Sequence, residues 1–410
     1  MKVGIEAINF FGGSACIDVR SIFEKRGLDS GRYDNLMLDA KSVAIPCEDP
    51  VTYAVNAAKP LVDRLSDKEK KMIDLLITTT ESGIDFGKSI STYVHDYLTL
   101  SNNCRVFELK QACYGGTAAL QMAASYIVAS CFPGRKALVI ATDMAKLSED
   151  MDYFEASQGV GAVAMLISDR PDIMELDLGA SGYYSFEVMD TCRPLPDMET
   201  GDSDLSLLSY LDCFEQCFRD YEAKVEKVDF MTTFDSLAFH TPFGGMVKGA
   251  HRKLMRELYR ATSEEIECDF QTRVMPSLTY CSKVGNVYSA SLYLSLCGLI
   301  EYTAIHEEKR IGLFSYGSGC SSEFFSGLVG PGSKQKLMEM NIEQLLSKRH
   351  KLSIDEYERL LLLNKEIPFG TRNHRVAFDD FNTIYSHFYR GSGFLILYEI
   401  NEYHREYRWS

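Results

Sequence analysis

The run Arg105-Val106-Phe107-Glu108-Leu109-Lys110-Gln111-Ala112-Cys113-Tyr114-Gly115-Gly116-Thr117-Ala118-Ala119 constrains this chain more than any other. A short strand enters a Gly-containing turn, and a helix over 114–130 follows that is rich in Ala, Gly and Ser. Such a helix has no polar face to offer water, so it belongs inside the fold with its first residues at a cleft. A thiol at that end, Cys113, meets unpaired N–H groups and the positive end of the helix dipole. Both favour thiolate and predict a pKa below the free value of about 8.5. The competing reading is an inert cysteine, because free Cys is among the most buried residue types.

Strands alternate with helices along the rest of the chain. Strands are predicted over 1–10, 75–80, 105–109, 136–142 and 161–168, with helices over 87–98 and 114–130 between them. A second series follows: a helix over 207–225, a strand leading to His240, a basic helix, a small-residue helix after Asn286, and strands over 310–316 and 323–329. Each series has a strand, a tight Gly turn, a buried small-residue helix and another strand, which predicts an α/β fold of two similar halves. The length agrees, since 410 residues exceed what one hydrophobic core usually covers. The stretch 334–368 reads as a peripheral helical insertion, and 394–400 as a strand.

Charge and cysteine usage exclude several classes. A net charge of −15 argues against nucleic acid as the main partner. No apolar run approaches the roughly 20 residues of a membrane span, and the N-terminus reads as a strand rather than a signal peptide. Twelve scattered cysteines suggest reduced thiols in a cytoplasm. Zinc is not expected, because Cys213 and Cys217 are four apart, no Cys-x-x-Cys occurs, and the histidines do not cluster with them.

Three sites pair with Cys113. Glu81 closes a strand of apolar and Thr residues before a Gly turn, where a carboxyl beside a buried nucleophile acts as acid and base; a surface loop Glu looks the same locally. His240 precedes a Pro/Gly turn and either polarises a carbonyl or is a satisfied core histidine. Asn286 heads a buried helix, as an amide donor or simply as an N-cap. A thiol, a carboxyl, an imidazole and an amide together suit acyl transfer with enolate chemistry.

These segments carry a resemblance. Glu81-Ser82, Gln111-Ala112-Cys113-Tyr114-Gly115-Gly116, His240-Thr241-Pro242-Phe243, Gly285-Asn286-Val287-Tyr288 and Ser315-Tyr316-Gly317-Ser318-Gly319 resemble the hydroxymethylglutaryl-CoA synthase family of the thiolase superfamily, in order and spacing. The resemblance extends through Gln158-Gly159-Val160-Gly161 and the tail from Glu402 to Ser410. It implies a thiolase-like fold, with two βαβαβ-type halves forming a layered αβαβα sandwich, and a homodimer. The first half would span 1–175 with Glu81 and Cys113, the second 176–410 with His240, Asn286 and Ser318. Cys113 would take an acetyl group, and Glu81 would remove a methyl proton and later protonate the new alkoxide. His240 and Asn286 would orient the acceptor. The N–H groups of Cys113 and Ser318 would hold the oxyanion, with Asp143 and Asp190 supporting Glu81.

Departures from the family pattern are informative. Members that use coenzyme A usually carry Lys five and nine residues after the catalytic His; here Gly245 and Gly249 stand there, with Lys248 shifted by one. A tyrosine expected four residues after Asp143 is replaced by Leu147. The segments Met189-Asp190-Thr191-Cys192-Arg193-Pro194 and Gly201-Asp202-Ser203-Asp204, with the N-terminal Gly4-Ile5-Glu6-Ala7-Ile8-Asn9, are similar to a branch that performs β-branching in polyketide clusters. The resemblance then implies two partners: an acyl carrier protein that donates acetyl, and the acceptor acyl carrier protein of a polyketide synthase. No cofactor or metal is implied beyond the phosphopantetheine arm those carriers bring.

Lys248, Arg252, Arg256 and Arg260 recur every four residues, which on a helix makes one basic stripe. It is either a solvated face or, together with Arg32, the landing site for an acidic carrier protein on an otherwise acidic enzyme. Rival readings are a mevalonate-pathway synthase acting on acetyl-CoA and acetoacetyl-CoA, an initiation-type ketosynthase, and a non-catalytic carrier binder.

Overall fold

The computed structural model describes residues 1–130, 132–145 and 152–410; position 147 lies outside them. Nine strands form one continuous sheet: β1 (Gly4–Phe11), β2 (Ile73–Thr79), β3 (Arg105–Leu109), β4 (Lys136–Met144), β5 (Val160–Ser168), β6 (Met174–Ser185), β7 (Ser236–Phe239), β8 (Lys309–Gly317) and β9 (Ser321–Val329). Their spatial order is β7-β8-β9-β6-β1-β5-β4-β2-β3. Within the sheet, the two halves join where Gly4 and Ile5 of β1 pair with Glu175 and Met174 of β6. On one side of that seam β3, β2 and β4 run parallel, with β5 and β1 antiparallel. On the other, β7 and β8 are parallel and β9 and β6 antiparallel, which repeats the pattern with one strand fewer among the described residues.

Five helices complete the layers. Helix α1 (Pro50–Asp63) packs on β1, β4 and β5. It starts where Asp49 and Thr52 exchange side chain to backbone bonds, with Pro50 in the first turn, so the local sequence specifies its N-terminus. Helix α2 (Gly115–Ser130) lies on β2, β4 and β5, while α5 (Ser291–Tyr302) lies on β7 and β8. The two meet back to back. A side chain at Gly116 would come within 3.1 Å of the Ser289 carbonyl, and Tyr293 OH sits 2.9 Å from Thr117 Oγ1. The small residues of α2 serve this approach. Helix α3 (Ser203–Lys224) covers β6 and β9, and α4 (Gly244–Tyr259) packs on α3. The result is the αβαβα sandwich.

Two expectations are corrected. The chain does not divide into contiguous halves at 175. A smaller core takes residues between Tyr210 and Phe324, while the larger one joins the first 176 residues to much of α5, to Ile311 and Leu313, and to the residues after 330. Strand His350–Lys351 pairs with Ala15 and Cys16, Tyr389 OH donates to Glu48, and Leu395 N–H donates to Asn56. Nor is 334–368 merely peripheral, since Leu337 and Tyr357 are fully buried. Strand β6 escaped the sequence reading because Gly179, Gly182 and exposed polar positions interrupt its apolar pattern. At Gly182 even a methyl would overlap the backbone of α3, 2.0 Å from the Cys217 carbonyl. No helix among the described residues is long and apolar enough to cross a membrane.

Candidate active site

Strands β2 and β3 are parallel, with Thr79 opposite Leu109, so both release their chains at one edge of the sheet. Ala112 then adopts a left-handed backbone (φ +43°), which non-glycine residues rarely do. This turn stands Cys113 between strand and helix, where its Sγ donates to Glu81 Oε1 at 3.1 Å. Both residues are half-buried. The expectation of a resting thiolate is therefore corrected. Burial first, and the Glu81 carboxyl second, push the Cys113 thiol well above the usual range. The helix itself starts at Gly115, so its dipole is outweighed by a carboxyl in direct contact.

Glu81 is pushed up to about 8 by burial and by the neighbouring charges of Asp143 and Glu199, while Arg193 opposes them. It straddles neutrality and can both take and return a proton. Asp143 is fully buried at the end of β4, and its Oδ1 accepts from Glu81 N (2.7 Å), Thr80 Oγ1 (2.9 Å), Ser82 N (3.1 Å) and Ser82 Oγ (2.9 Å). Those bonds fix the main chain of the catalytic loop. Its Oδ2 is buried without a partner among the described residues.

His240 follows β7, and its N–H donates to Phe314 O of β8 at 2.8 Å. Tyr210 of α3 donates to the His240 carbonyl at 2.7 Å. Burial pulls the imidazole down to about 3, so it is neutral, and its Nδ1 is buried without a hydrogen-bond partner among the described residues. Asn286 lies before the helix-capping positions, which fall on Val287 and Ala290, so the N-cap reading is corrected. Its main chain is pinned by bonds to Ser157 O and from Gly159 N, and its Oδ1 accepts from Tyr288 N (2.9 Å) and Ser291 Oγ (3.0 Å). The turn bonds consume the oxygen and orient the remaining NH2 as a donor.

The end of β8 closes the site. A side chain at Gly317 would lie 2.5 Å from Tyr114 N and 2.9 Å from Gln111 O, so the Ser318 turn rests directly on the Cys113 loop. Among the described residues neither the Cys113 nor the Ser318 N–H donates to a main-chain carbonyl. Asp190, expected to support Glu81, does not touch it. Its Oδ2 accepts from Tyr316 OH at 2.6 Å and its Oδ1 from Gly319 N at 3.0 Å, so it braces the Ser318 turn. Tyr316 lies on a strand of the second half, which the sequence spacing could not relate to residue 190.

Of the cationic positions, Arg32 is exposed on the short helix Ser30–Leu36, which packs against the start of α4. Arg252 and Arg256 are exposed, with no ion pair among the described residues. Lys248 pairs with Glu267 at 2.8 Å, both of these side chains staying exposed to solvent, and leans over the Phe270 ring. Two features went unforeseen. Glu323 of β9 accepts from Tyr114 OH (2.7 Å) and Gln121 Nε2 (2.9 Å), anchoring the start of α2 to the second half. Arg193, Glu199 and Tyr288 form a buried polar cluster beside Glu81; Arg193 stood in a quoted motif, but nothing in sequence tied it to Glu199.

Comparison with known proteins finds relatives along the whole chain. The model of the hydroxymethylglutaryl-coenzyme A synthase N terminal region matches residues 1–172, and that of the C terminal region residues 253–407. The polyketide biosynthesis 3-hydroxy-3-methylglutaryl-ACP synthase PksG of Bacillus subtilis (strain 168) is 51% identical, over 100% of this chain and 99% of its own. The hydroxymethylglutaryl-CoA synthase of Enterococcus faecalis is 35% identical over 88% and 91%. The curacin pathway HMG synthase, solved in complex with holo donor-ACP, superposes with a TM-score of 0.98 at 54% identity over 100% of both chains. MvaS in complex with 3-hydroxy-3-methylglutaryl coenzyme A gives 0.87 at 31%, over 100% of this chain and 99% of that one.

Because Asp190 braces the Ser318 turn, D190N is expected to slow acetylation of Cys113 by an acetyl thioester about 100-fold, as displacing an oxyanion donor does. Stopped-flow loading measured beside the thermal unfolding temperature checks this. An unchanged loading rate in a folded variant removes Asp190 from the oxyanion site.

Proposed function

The chain belongs to the hydroxymethylglutaryl-coenzyme A synthase family, and we propose that within it this protein is the condensing enzyme of polyketide β-branching. The 3.1 Å contact between the Cys113 thiol and Glu81 carries the reading, because it places a nucleophile and a hydrogen-bonded proton acceptor together. Glu81 takes the thiol proton as sulfur attacks the acetyl thioester of the donor carrier protein, and returns it to the departing phosphopantetheine thiol. Glu81 next removes a proton from the acetyl methyl group. The enolate oxygen is held by the N–H groups of Cys113 and Ser318. The enolate carbon attacks the β-ketone of the acceptor chain, whose oxygens His240 and Asn286 orient, and the alkoxide takes the proton back from Glu81. Water then cleaves the Cys113 thioester, releasing a β-hydroxy-β-carboxymethyl acyl chain and the free thiol. The phosphopantetheine arms of the carriers are the only prosthetic groups this sequence of steps needs.

Carrier proteins rather than free coenzyme A are favoured on two grounds. Likeness to the polyketide HMG-ACP synthase spans the whole chain and exceeds that to the coenzyme A relatives described above. A lysine at position 245 is also sterically barred, since its Cβ would fall 1.9 Å from the Asn35 carbonyl under helix Ser30–Leu36. The eleven described cysteines are free thiols, which fits a reducing cytoplasm. A homodimer is assigned to edge strand β3 and the outer face of α2. Met122 and Phe132 are exposed there, and Leu75, Ile77, Phe107 and Tyr126 line a groove of about 530 Å³.

Intact-mass spectrometry tests the activity. Acetyl-carrier protein should add one acetyl group to the enzyme much faster than acetyl-CoA does, and C113A should take none. Faster loading from acetyl-CoA with turnover of acetoacetyl-CoA would place the protein in the mevalonate pathway instead. For docking, R252E/R256E should weaken carrier binding and flatten its salt dependence, while K248A, already paired with Glu267, should change little. Isothermal titration at two ionic strengths reads both. For assembly, M122E should shift the sedimentation coefficient to that of the monomer.

A further inference from the structure

Cys113 sits in a tight turn that strand β9 grips on both sides of the nucleophile. Tyr114 N–H donates to the Gln111 carbonyl at 3.1 Å, so the residues flanking Cys113 fold back on each other. Gln111 Nε2 donates to Ser321 Oγ at 3.1 Å, and Tyr114 OH donates to Glu323 Oε2 at 2.7 Å. Ser321 and Glu323 are two apart on β9, so their side chains leave the same face of the sheet. The grip continues into α2. Tyr114, Thr117 and Gln121 are spaced to share one helical face, and the last two also bond across the layers. Thr117 Oγ1 donates to Ser315 Oγ at 2.8 Å, and Gln121 Nε2 donates to Glu323 Oε1 at 2.9 Å.

Glu323 is the hub of these bonds. It is fully buried, and it lies opposite Ser315 of β8 and Tyr183 of β6, so strand pairing on both sides fixes its main chain. Each of its carboxyl oxygens takes a donor from the nucleophile's turn or helix. Lys224, a cation whose charge reaches it, is paired with Asp220 instead. Bonds from neutral donors to a buried carboxylate are charge-assisted and directional. The same strand follows the oxyanion turn. Gly317 at the end of β8 pairs with Ser321 at the start of β9, so Ser318 lies in the turn between them. Gly317 in turn packs against Tyr114 N and Gln111 O with no room for a methyl group. The Cys113 and Ser318 N–H groups therefore belong to two turns in direct contact, and the bonds to Ser321 and Glu323 hold one turn against the other.

We propose that Glu323, aided by Ser321, is a positioning residue for acyl transfer: by gripping Tyr114 it fixes the Cys113 N–H against the Ser318 N–H, and so sets how strongly the two polarise an acyl carbonyl. The proposal rests on those N–H groups forming the oxyanion site, but not on which carrier brings the acyl group. Releasing the grip should weaken the stabilisation of the oxyanion while leaving the thiol itself in place beside Glu81.

Two reagents aimed at Cys113 test this, p-nitrophenyl acetate and iodoacetamide, each read as the adduct on the peptide that holds Cys113. Acetyl transfer from the ester builds an oxyanion and alkylation does not, so only the first senses the two N–H groups. E323A should slow acetylation about 100-fold, as a small misplacement of donors does, and leave alkylation within about threefold of the parent. E323Q keeps an acceptor for Tyr114 and should recover most of the acetylation rate, while Y114F, which removes one bond, should lose about 10-fold. In the acetylated enzyme the thioester carbonyl stretch, followed by infrared with isotope-labelled acetyl, should rise in E323A as the carbonyl loses its donors. Equal slowing with both reagents, or an acetylation rate that does not change, overturns the proposal. Should E323A fail to fold, Y114F against E323Q still decides it. Failure of the functional reading shows separately, as a parent enzyme acetylated by the ester but by neither acetyl-carrier protein nor acetyl-CoA.

Discussion

Everything at the catalytic cleft depends on how closely α2 and α5 approach across the middle layer. Gly116 has no room for a side chain beside Ser289 and Tyr293, and Thr117 donates to Ser315 of β8 at 2.8 Å. This contact ties the helix that follows the nucleophile to the strand that precedes the Ser318 turn. The seam between the two sheet halves is only two residue pairs long. The contacts of α2 with Ser289, Tyr293 and Ser315 therefore add to strand pairing in holding the ends of β2 and β8 at one cleft.

That cleft gathers ionisable groups that water would otherwise keep apart. Glu81 and Asp143 are carboxyls whose ionisation burial opposes and Arg193 favours. Burial keeps His240 neutral and Cys113 protonated, so the resting site holds its proton between sulfur and carboxyl. The same environment suits the chemistry. An acetyl thioester is a weak carbon acid, and enolate formation needs a base of raised affinity facing preorganised donors for the developing oxyanion. Asp190 accepts from Tyr316 OH and Gly319 N and so braces the Ser318 turn.

Much of this was legible from residues that constrain their own neighbourhood. Strand β5 is an unbroken apolar run because both its faces are buried, and α1 carries its own start signal at Asp49 and Thr52. Strand β6 was not legible, since a third of its residues are exposed and Gly182 answers to α3 rather than to the strand. The return of residues 331–410 to the first core was equally hidden. Tyr389 and Glu48 are far apart in the chain, and no local pattern announces their bond.

The sequence by itself determined the residue types of the chemistry, the αβ alternation and the small-residue helix, because propensity, periodicity and turn geometry act over a few residues at a time. Only the tertiary structure decided their electrostatics. The helix end at Cys113 suggests a thiolate until Glu81 is seen 3.1 Å away. Lys248 belongs to a basic stripe, and only the fold sets Glu267 beside it. Asp190 supports the oxyanion turn rather than the base because Tyr316 and Gly319 are what it meets. A charge takes its role from its burial and from partners brought from distant parts of the chain, and those are fixed only when the two halves close on each other.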